Sequence, residues 1–401
     1  MTVPIRRKIF QIIEPYIKSR EAIVITGFRR VGKTTLLEHL FDSVGSENKL
    51  LLDLQNPVNQ RIFIHDNYEN IKINLEGLGL DFTQKAYLFL DEIQLVENIS
   101  SSLKYLYDHY DLKLFLTGSS SFYLRNKFAD SMSGRKYIFE LYPLDFDEFI
   151  LFKGLNYDTK VLHSGALDYS RISTLFREYM MYGGFPGVVL ETSKAGKIKK
   201  LDDILSSYFQ QDVQSLSTFS DNQKLKDLMF LLSSRVGSKL DIGKIAQSLD
   251  TTRSTTNNYL DFFSQTYFIG VVKPFSTSKD VEIKEKPKIY FIDTGLLNRV
   301  GKVTESKLFE NVVYSRLKVR SSLEQDLGVF GQINYYATKT GKEIDFIFSK
   351  EHSYEVKTSG DTSDLRLLRN RSLSIGIKKY SVVSLDFVKS KSDEIIYPWE
   401  L

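Results

Sequence analysis

The sequence predicts an α/β protein, and three observations lead to that prediction. The first third alternates short, near-continuous apolar runs with amphipathic segments, a pattern typical of parallel strands that helices cover on both faces. The stretch from about 145 to 235 has apolar residues at helical spacing. The last hundred residues return to strands that alternate with helices. A chain of 401 residues is long enough for roughly two to four domains.

Five apolar runs bounded by polar turns predict the strands of the first region. The earliest run is followed by a glycine-containing turn and then by TTLLEHLFDSV, which predicts a helix. The five runs are AIVITGF (22–28), KLLLDLQ (49–55), AYLFLDE (86–92), LKLFLTGS (112–119) and RKYIFELYP (135–143). The helical region that follows contains GGFPG (183–187), which predicts a rigid turn.

The composition excludes several classes of protein. Hydrophobic residues make up 42% of the chain and charged residues 26%, which excludes a wholly disordered or fibrous protein. There is no cysteine, so disulfides, cysteine-ligated zinc, iron–sulfur clusters and a thiol nucleophile are excluded. The five histidines are scattered without metal-ligand spacing. A formal charge of +4 is too small to demonstrate nucleic-acid binding, although it permits local basic faces.

Nothing in the sequence predicts insertion into a membrane. No apolar run approaches the roughly 18 residues of a membrane span. The first residues are amphipathic and charged, unlike a signal peptide. We therefore expect a cytoplasmic protein without a membrane partner.

Residues 27–34 have the sequence GFRRVGKT and match the phosphate-loop pattern GxxxxGK(S/T). An apolar strand precedes the match and an amphipathic helix follows it, which is the context that phosphate binding requires. Glycines allow backbone N–H groups to close around phosphate oxygens, and the helix N-terminus favours negative charge. Lys33 is expected to reach the β- and γ-phosphates, and the Thr34 hydroxyl to bind Mg²⁺. The predicted cofactors are ATP and Mg²⁺, and the predicted nucleotide contacts are Gly27, Arg29, Arg30, Val31, Gly32, Lys33, Thr34 and Thr35.

Two carboxylates end another predicted strand. Asp91 fits a residue that holds Mg²⁺, and Glu92 fits the residue that orients or deprotonates the attacking water. An acidic pair can also be a solvated turn, but the phosphate loop earlier in the chain favours the catalytic interpretation. The next strand ends in Thr117-Gly118-Ser119-Ser120, where a hydroxyl could sense the γ-phosphate. We expect Ser119 to be that sensor, with a plain turn as the alternative.

These motifs together resemble the prokaryotic AAA-type ATPases that join a phosphate-loop core to a winged helix and a carboxy-terminal domain. The shared segments occur in the order GFRRVGKTTLL, YLFLDEIQ, LTGSSS, SGRKYIFELYPLDFDEF and YGGFPGVV. The resemblance continues through YFQQDV and IYFIDTGLLN, so it covers nearly the whole chain. It implies an Mg²⁺-dependent ATPase. AAA-type cores often form rings, so the resemblance also leaves room for a homo-oligomer.

The resemblance implies two further roles. GGFP is similar to the glycine–proline turn of STAND-type and archaeal ATPases, where the proline lies near the base and ribose. Pro186 would then contact the nucleotide from a helical lid, unless it only shapes the turn. Arg135 follows the sensor strand, where an arginine directed at phosphate would be useful. The sequence leaves open whether Arg135 acts in its own subunit, on a neighbour or only at the surface, and whether Arg29 and Arg30 point away from the phosphates.

Residues 240–275 look like a winged helix-turn-helix. DIGKIAQSL predicts a short helix, DTT a turn and RSTTNNYLDFFSQTYF a second helix, and GVVKPF and KIYFID predict the two strands of a wing. A recognition helix here would contact phosphates and base edges in a major groove. In ATPases of this type the winged helix can instead pack on the core and transmit the nucleotide state. The predicted DNA contacts are Arg253, Ser254, Thr255, Asn257 and Asn258.

The segment EIDFIFSKEHSYEVK (343–357) places Asp345 on one predicted strand and Glu355 and Lys357 on one face of the next. Two carboxylates can hold Mg²⁺ or Mn²⁺, and Lys357 can position the water and offset phosphate charge. Glu310, on the preceding helix, could complete the site. The spacing resembles the PD-(D/E)xK nuclease fold. Ile344 stands where that pattern has proline, which leaves cleavage undecided against a degenerate site that only grips DNA.

The sequence thus predicts a phosphate-loop ATPase core (1–145), a helical lid (146–235), a winged helix-turn-helix (236–300) and a restriction-endonuclease-like α/β domain (301–401). The leading hypothesis is an ATP-binding and ATP-hydrolysing protein whose nucleotide state controls DNA binding and metal-dependent DNA cleavage. The alternative is a nucleotide-controlled signalling scaffold with an inactive, partner-binding carboxy-terminal domain. A kinase is a weaker third hypothesis, because no small-molecule pocket motif is evident.

Overall fold

The chain divides into two compact units, Met1–Tyr142 and Pro143–Leu401. The computed structural model describes residues 7–65, 67–119, 132–155, 166–213, 222–276, 285–326, 331–338, 341–389 and 392–401. Ser120 and most of the predicted wing loop (277–284) lie outside the described residues. No helix in the described part of the chain combines the length and the apolar character that a membrane span needs.

The first unit is built on a parallel sheet. Its strands are β1 (Ala22–Gly27), β2 (Lys49–Asp53), β3 (Ala86–Asp91), β4 (Leu112–Ser119) and β5 (Lys136–Glu140). Their order in the described part of the sheet is β2-β3-β4-β1-β5, with all neighbours parallel. Each of the five predicted apolar runs forms one of these strands, so the predicted parallel sheet is confirmed.

Helices connect these strands and cover the sheet. They are α1 (Lys8–Ile13), α2 (Lys33–Ser43), α3 (Pro57–Arg61), α4 (Tyr68–Gly77) and α5 (Ile99–His109), with 3-10 turns at Glu14–Tyr16 and Ile93–Leu95. Strands β1 and β4 are buried along their whole lengths, as central strands covered on both faces should be. Gly27 pairs with Ser119 and Leu90 pairs with Leu116, so the carboxyl ends of β1, β4 and β3 meet at one edge.

The second unit begins with helices and ends with a mixed sheet. Its helices are α6 (Phe146–Phe152), α7 (Ala166–Tyr182), α8 (Pro186–Val189), α9 (Lys194–Ser207), α10 (Asn222–Ser234), α11 (Ile242–Ser248), α12 (Arg253–Gln265), α13 (Thr294–Val300), α14 (Glu305–Asp326) and α15 (Thr362–Ser374). A π-helical turn covers Tyr208–Val213, and a 3-10 turn covers Pro398–Glu400. Capping boxes at Asp145 and Asp361 explain where α6 and α15 begin.

A single sheet runs through the wing strands and the carboxy-terminal region. Its strands are β6 (Ile269–Pro274), β7 (Lys288–Phe291), β8 (Ile333–Ala337), β9 (Glu343–Phe348), β10 (His352–Lys357), β11 (Lys379–Ser384) and β12 (Ile395–Ile396). The order in the described residues is β12-β11-β10-β9-β8-β6-β7. Strands β8, β9 and β10 are antiparallel neighbours, whereas β11 runs parallel to β10 after α15.

The β6–β7 hairpin joins this sheet because β6 pairs in parallel with β8, Lys273 opposite Asn334. This pairing satisfies backbone groups of β6 that an isolated wing would leave exposed. The predicted lid, winged helix and carboxy-terminal domain all lie within the second compact unit, and their bounds stay predictions. Sequence patterns marked the strands but gave no sign of their pairing.

The GGFP turn is held by an aspartate from a distant segment of the second unit. The Gly184 N–H donates to Oδ2 of Asp293 at 2.7 Å, and the Leu296 N–H donates to Oδ1 at 3.1 Å. A Cβ at Gly183, where φ is +74°, would lie 2.1 Å from Asp293 Oδ1. This close approach requires glycine, so the motifs YGGFP and IDTG form one junction.

We expect Asp293 to make the stability of the second unit depend on pH. Burial raises its pKa from 3.8 to about 6, against the hydrogen bonds from Gly184 and Leu296 that lower it. Between those pKa values the native state binds the proton more tightly than the unfolded chain does, so stability falls as the pH rises from about 4 to about 6 and then levels off. In Asp293→Asn this contribution is absent. The wild-type advantage in unfolding free energy should therefore shrink by up to about 3 kcal/mol over that range.

Denaturant unfolding of both proteins at several pH values measures this difference. The Asn variant also loses an acceptor for one of the two N–H groups, which lowers its stability at every pH. The informative quantity is therefore the change of the stability difference with pH. Parallel pH profiles would show that Asp293 does not titrate as proposed.

Candidate functional site

The phosphate loop occupies the turn between β1 and α2. Gly27 ends β1 with φ at +151°, and a Cβ there would lie 2.1 Å from the carbonyl oxygen of Leu141. Gly32 precedes α2 in the left-handed region, with φ at +99°. Backbone geometry thus requires glycine at both ends of the loop.

Lys33 is buried at the start of α2 and bends back toward β1. Its Nζ donates to the carbonyl oxygens of Gly27 at 3.1 Å and Phe28 at 3.0 Å. The ammonium therefore lies beside the loop, next to a helix N-terminus that favours anions. The other predicted contacts differ in exposure: Val31 is buried, Arg29 is half-buried, and Arg30, Thr34 and Thr35 are exposed.

Asp91 accepts hydrogen bonds from hydroxyl groups on two different elements. Oδ2 accepts from Thr34 Oγ1 at 2.6 Å, and Oδ1 accepts from the hydroxyl of Thr117. Burial raises the pKa of Asp91, and the bonds from Thr117 and Thr34 oppose that rise. A hydroxyl and a carboxylate that are far apart in sequence are therefore adjacent in space. This is an oxygen pair that suits Mg²⁺, which usually keeps waters and substrate phosphates as its other ligands.

Glu92 follows in a left-handed conformation, with φ at +55°. Such a backbone is uncommon for glutamate and is often found at functional sites. Its N–H donates to Thr117 Oγ1 at 3.1 Å, and its carboxylate accepts from the side chain of Gln94. The Gln94 carbonyl in turn accepts from the Ser119 N–H at 3.2 Å. A hydrogen-bonded chain therefore links the predicted base to the predicted sensor.

Sequence reasoning missed three residues of this site. Gln94 lies two positions after Glu92, and Thr117 lies two positions before Ser119. Both belong to the quoted motifs, so closeness to a predicted site residue was the signal that could have found them. Arg7 lies outside every motif. Its Nη1 donates to the carbonyl of Val31 at 3.0 Å, and its Nη2 donates to that of Tyr142 at 2.8 Å, so this buried guanidinium braces the phosphate loop.

Arg135 lies at the opposite edge of the sheet. Its carbonyl accepts from the N–H of Ala22, the first residue of β1, at 2.8 Å, and its Nε lies 2.9 Å from Asp108 Oδ1. Because a strand rises about 3.3 Å per residue, the length of β1 puts roughly 16 Å between this edge and the phosphate loop. Of the three roles that the sequence left open for Arg135, this position does not favour action on a phosphate in its own subunit, because β5 begins there. Action on a neighbouring subunit and a surface role stay predictions.

Pro186 begins the short helix α8 in the second unit. The nucleotide contact that the family resemblance implies for Pro186 stays a prediction. The structure accounts for the neighbouring glycines through Asp293, independently of any ligand.

The five predicted DNA contacts lie in the first turns of α12. Arg253, Ser254, Asn257 and Asn258 are exposed, and Thr255 is half-buried. Thr252 caps the helix by accepting the Thr255 N–H at 3.0 Å. The buried residues of the same helix are Thr256, Tyr259, Leu260, Phe262 and Phe263. The helix therefore presents a polar face to solvent, whether or not DNA binds there.

The predicted carboxy-terminal residues come together across β9 and β10. Tyr354 pairs with Phe346, so the same register continued by one residue places Glu355 opposite Asp345. Asp345 Oδ2 accepts the Val356 N–H at 2.8 Å. Burial, together with the negative charges of Glu355 and Glu310, raises the pKa of Asp345 to about 8. Burial and these two carboxylates therefore favour the protonated form of Asp345, and the charge of Lys288 opposes them.

The two carboxylate oxygens of Glu355 have different surroundings. Oε1 lies 2.9 Å from Lys357 Nζ and 3.6 Å from Arg371 Nη1. Oε2 is buried and has no hydrogen-bond partner in the described structure, and only 9% of the side chain is exposed. A buried carboxylate oxygen without a partner is costly, and a cation would satisfy it.

Asp345 and Glu355 therefore fit a divalent cation through two carboxylate ligands. The described part of the chain contains no group of three or more histidine, aspartate or glutamate side chains that could hold a metal ion. A site of two carboxylates leaves coordination positions for water and substrate oxygens, which suits Mg²⁺ or Mn²⁺.

Glu310, the fourth predicted member, is already bound by β7. Its Oε1 accepts from the Tyr290 hydroxyl at 2.7 Å and lies 3.6 Å from Lys288 Nζ. Lys288 also lies 2.5 Å from Glu343 Oε1. Sequence reasoning missed Lys288, because it comes from the predicted wing.

Comparison with protein families gives two matches. Residues 19–150 match the AAA domain, and residues 173–307 match a domain of unknown function. The AAA match and the phosphate-loop geometry together support a nucleotide-binding ATPase domain of prokaryotic AAA type in the first unit.

Relatives and solved structures are similar over much of the chain. An uncharacterized protein of Methanocaldococcus jannaschii is 27% identical over 376 residues, 92% of this chain and 80% of the relative. Another, from Haemophilus influenzae, is 27% identical over 82% of this chain and 79% of its own length. The Walker-type ATPase of Pyrococcus abyssi covers 74% of this chain and 96% of its own, with 13% identity and a TM-score of 0.45. The Orc1 protein of Aeropyrum pernix, solved in complex with DNA, covers 78% of this chain and 92% of its own, with 10% identity and a TM-score of 0.33. Scores this low carry no functional conclusion.

Proposed function

We propose that this protein hydrolyses ATP in its first unit, and that its nucleotide state controls DNA binding and metal-dependent DNA cleavage by its second unit. The observation that carries the cleavage proposal is the buried, unpartnered oxygen of Glu355 beside Asp345. It occurs in a chain that also has a complete set of phosphate-loop residues.

In the ATP site, the loop N–H groups and Lys33 stabilise the phosphate charge. Glu92 accepts a proton from the attacking water, and Gln94 holds the carboxylate for that task. Ser119, joined to Gln94 through its N–H, is placed to respond to the γ-phosphate. Thr34 and Asp91 would hold Mg²⁺, which would neutralise charge on the phosphate oxygens.

In the carboxy-terminal site, Asp345 and Glu355 would hold a divalent cation, and that cation would supply Lewis-acid activation of a phosphodiester. Lys357, the more exposed partner of Glu355, orients the attacking water and offsets the phosphate charge. The nuclease-like interpretation is supported by the order of α14, three antiparallel strands, α15 and a strand parallel to the third.

DNA contact is proposed for the exposed face of α12. Helices α10, α11 and α12, followed by the β6–β7 hairpin, support a winged helix-turn-helix. The hairpin shares a sheet with the carboxy-terminal strands, so α12 leads directly into the sheet that carries Asp345.

Fluorescence anisotropy with DNA over a range of salt concentrations tests the DNA proposal. We expect affinity to fall steeply with salt, and Arg253→Ala to reduce the slope by about one phosphate contact. Arg61→Ala, at an exposed arginine of α3, is the matched control and should leave the slope unchanged. Absence of DNA affinity at low salt would favour the scaffold hypothesis over this one.

A further inference from the structure

Lys288 is a buried lysine inside the carboxylate cluster of the second unit. It lies on β7, opposite Val272 in the hairpin, and only 2% of the residue is exposed. Its Nζ lies 2.5 Å from Glu343 Oε1 and 3.6 Å from Glu310 Oε1. A lysine so enclosed cannot contact a DNA strand, so its role must be toward the protein's own carboxylates.

The ammonium of Lys288 keeps its charge in this position. Burial lowers the pKa of Lys288, but Glu310, Asp345 and Glu343 outweigh that effect and leave the pKa above its ordinary value. The Lys288 side chain also lies over the ring of Tyr335, with 5.4 Å from Nζ to the ring centre. Removing one partner from such a buried pair is costly, because it leaves an uncompensated charge.

The cluster contains two classes of carboxylate. Glu310 and Glu343 are neutralised from β7, since Glu310 also accepts the Tyr290 hydroxyl at 2.7 Å. Glu355 instead has a buried oxygen without a partner, and the contact described for Asp345 is one backbone N–H. Lys288 thus lies against Oε1 of both Glu310 and Glu343, whereas Glu355 keeps a buried oxygen that a cation would satisfy.

We propose that Lys288 is an internal counter-ion that reserves Glu310 and Glu343, so that the site binds one divalent cation, at Asp345 and Glu355. This inference rests on the proposed function of the site and deepens it. Lys288 acts through other side chains and is a positioning residue. The proposal excludes Glu310 as a metal ligand, and it makes the β6–β7 hairpin part of the metal site.

Counting Mn²⁺ by electron paramagnetic resonance on the full-length, nucleotide-free protein tests this inference without any activity. Asp345→Asn supplies the baseline, because it removes a proposed ligand but leaves the ATP site intact. We expect wild type to bind one Mn²⁺ more than this baseline. Glu310→Gln should retain that ion with an affinity within about threefold, since a residue that is not a ligand affects it only through charge.

Lys288→Met should bind Mn²⁺ several-fold more tightly than wild type, because a nearby positive charge is lost and Glu310 and Glu343 are no longer neutralised. A purely structural role would weaken binding instead. Should Lys288→Met not fold, Glu343→Gln provides the second arm and should keep the ion. Two ions above baseline in wild type, or loss of the ion in Glu310→Gln, would overturn the counter-ion inference alone. Absence of any ion above baseline would overturn the proposed metal site together with it.

Discussion

The Glu92→Gln variant is expected to bind ATP as tightly as wild type and to hydrolyse it roughly 100- to 10,000-fold more slowly, the range lost with a general base. The amide keeps the size of the side chain but cannot accept the proton of the attacking water. The backbone contact between the Glu92 N–H and Thr117 does not involve the substituted group, so the site should keep its shape. Steady-state phosphate release measures hydrolysis, and a fluorescent ATP analogue measures binding.

Glu97→Gln is the matched control for this experiment. Glu97 is exposed and lies five positions along the chain, so the same chemical change there should leave hydrolysis within about twofold of wild type. Hydrolysis by Glu92→Gln at the wild-type rate would contradict the assigned base. Loss of ATP binding in that variant would show that Glu92 supports the loop instead.

The second large effect is expected at Asp345. Asp345→Asn should lower Mg²⁺- or Mn²⁺-dependent DNA cleavage by about 100-fold or more, because a neutral amide is a poor ligand for a hard cation. ATP hydrolysis should stay within about twofold of wild type, since Asp345 belongs to the other unit. Cleavage of linear and branched DNA is followed on gels at several metal concentrations.

Glu351→Gln controls for loss of a carboxylate near the same hairpin. The Glu351 side chain is 73% exposed, so its substitution should leave cleavage unchanged. Persistent cleavage by Asp345→Asn would place the activity elsewhere in the chain or in a contaminant.

The ATP site could be predicted from sequence because most of its residues lie in contiguous motifs. The loop between β1 and α2 is one unbroken segment, and the acidic pair ends an apolar run that is visible without a structure. The roles of Gln94 and Thr117 could not be predicted, because they depend on the order of the strands in the sheet. Only the insertion of β4 between β1 and β3 brings Thr117 to Asp91.

The position of Arg135 could not be predicted for the same reason. A residue that follows one strand in sequence can lie at either edge of a parallel sheet, depending on where the next strand begins. Arg135 precedes β5, so it lies where the parallel strands start.

In the second unit, local spacing placed Asp345 and Glu355 together because a short hairpin connects their strands. Lys288 and Asp293 could not be found in this way. Lys288 reaches the carboxylates only because β6 pairs with β8, and Asp293 reaches Gly184 from 109 positions away.

The central claim is that nucleotide state controls the DNA activity of this chain. The most direct measurement is the rate of Mn²⁺-dependent DNA cleavage by wild type without nucleotide, with ADP and with a non-hydrolysable ATP analogue, using Asp345→Asn as the blank. The account predicts cleavage above the blank that differs several-fold between the ADP and ATP-analogue states. Equal rates in all three states, or no cleavage above the blank while ATP hydrolysis remains intact, would contradict it.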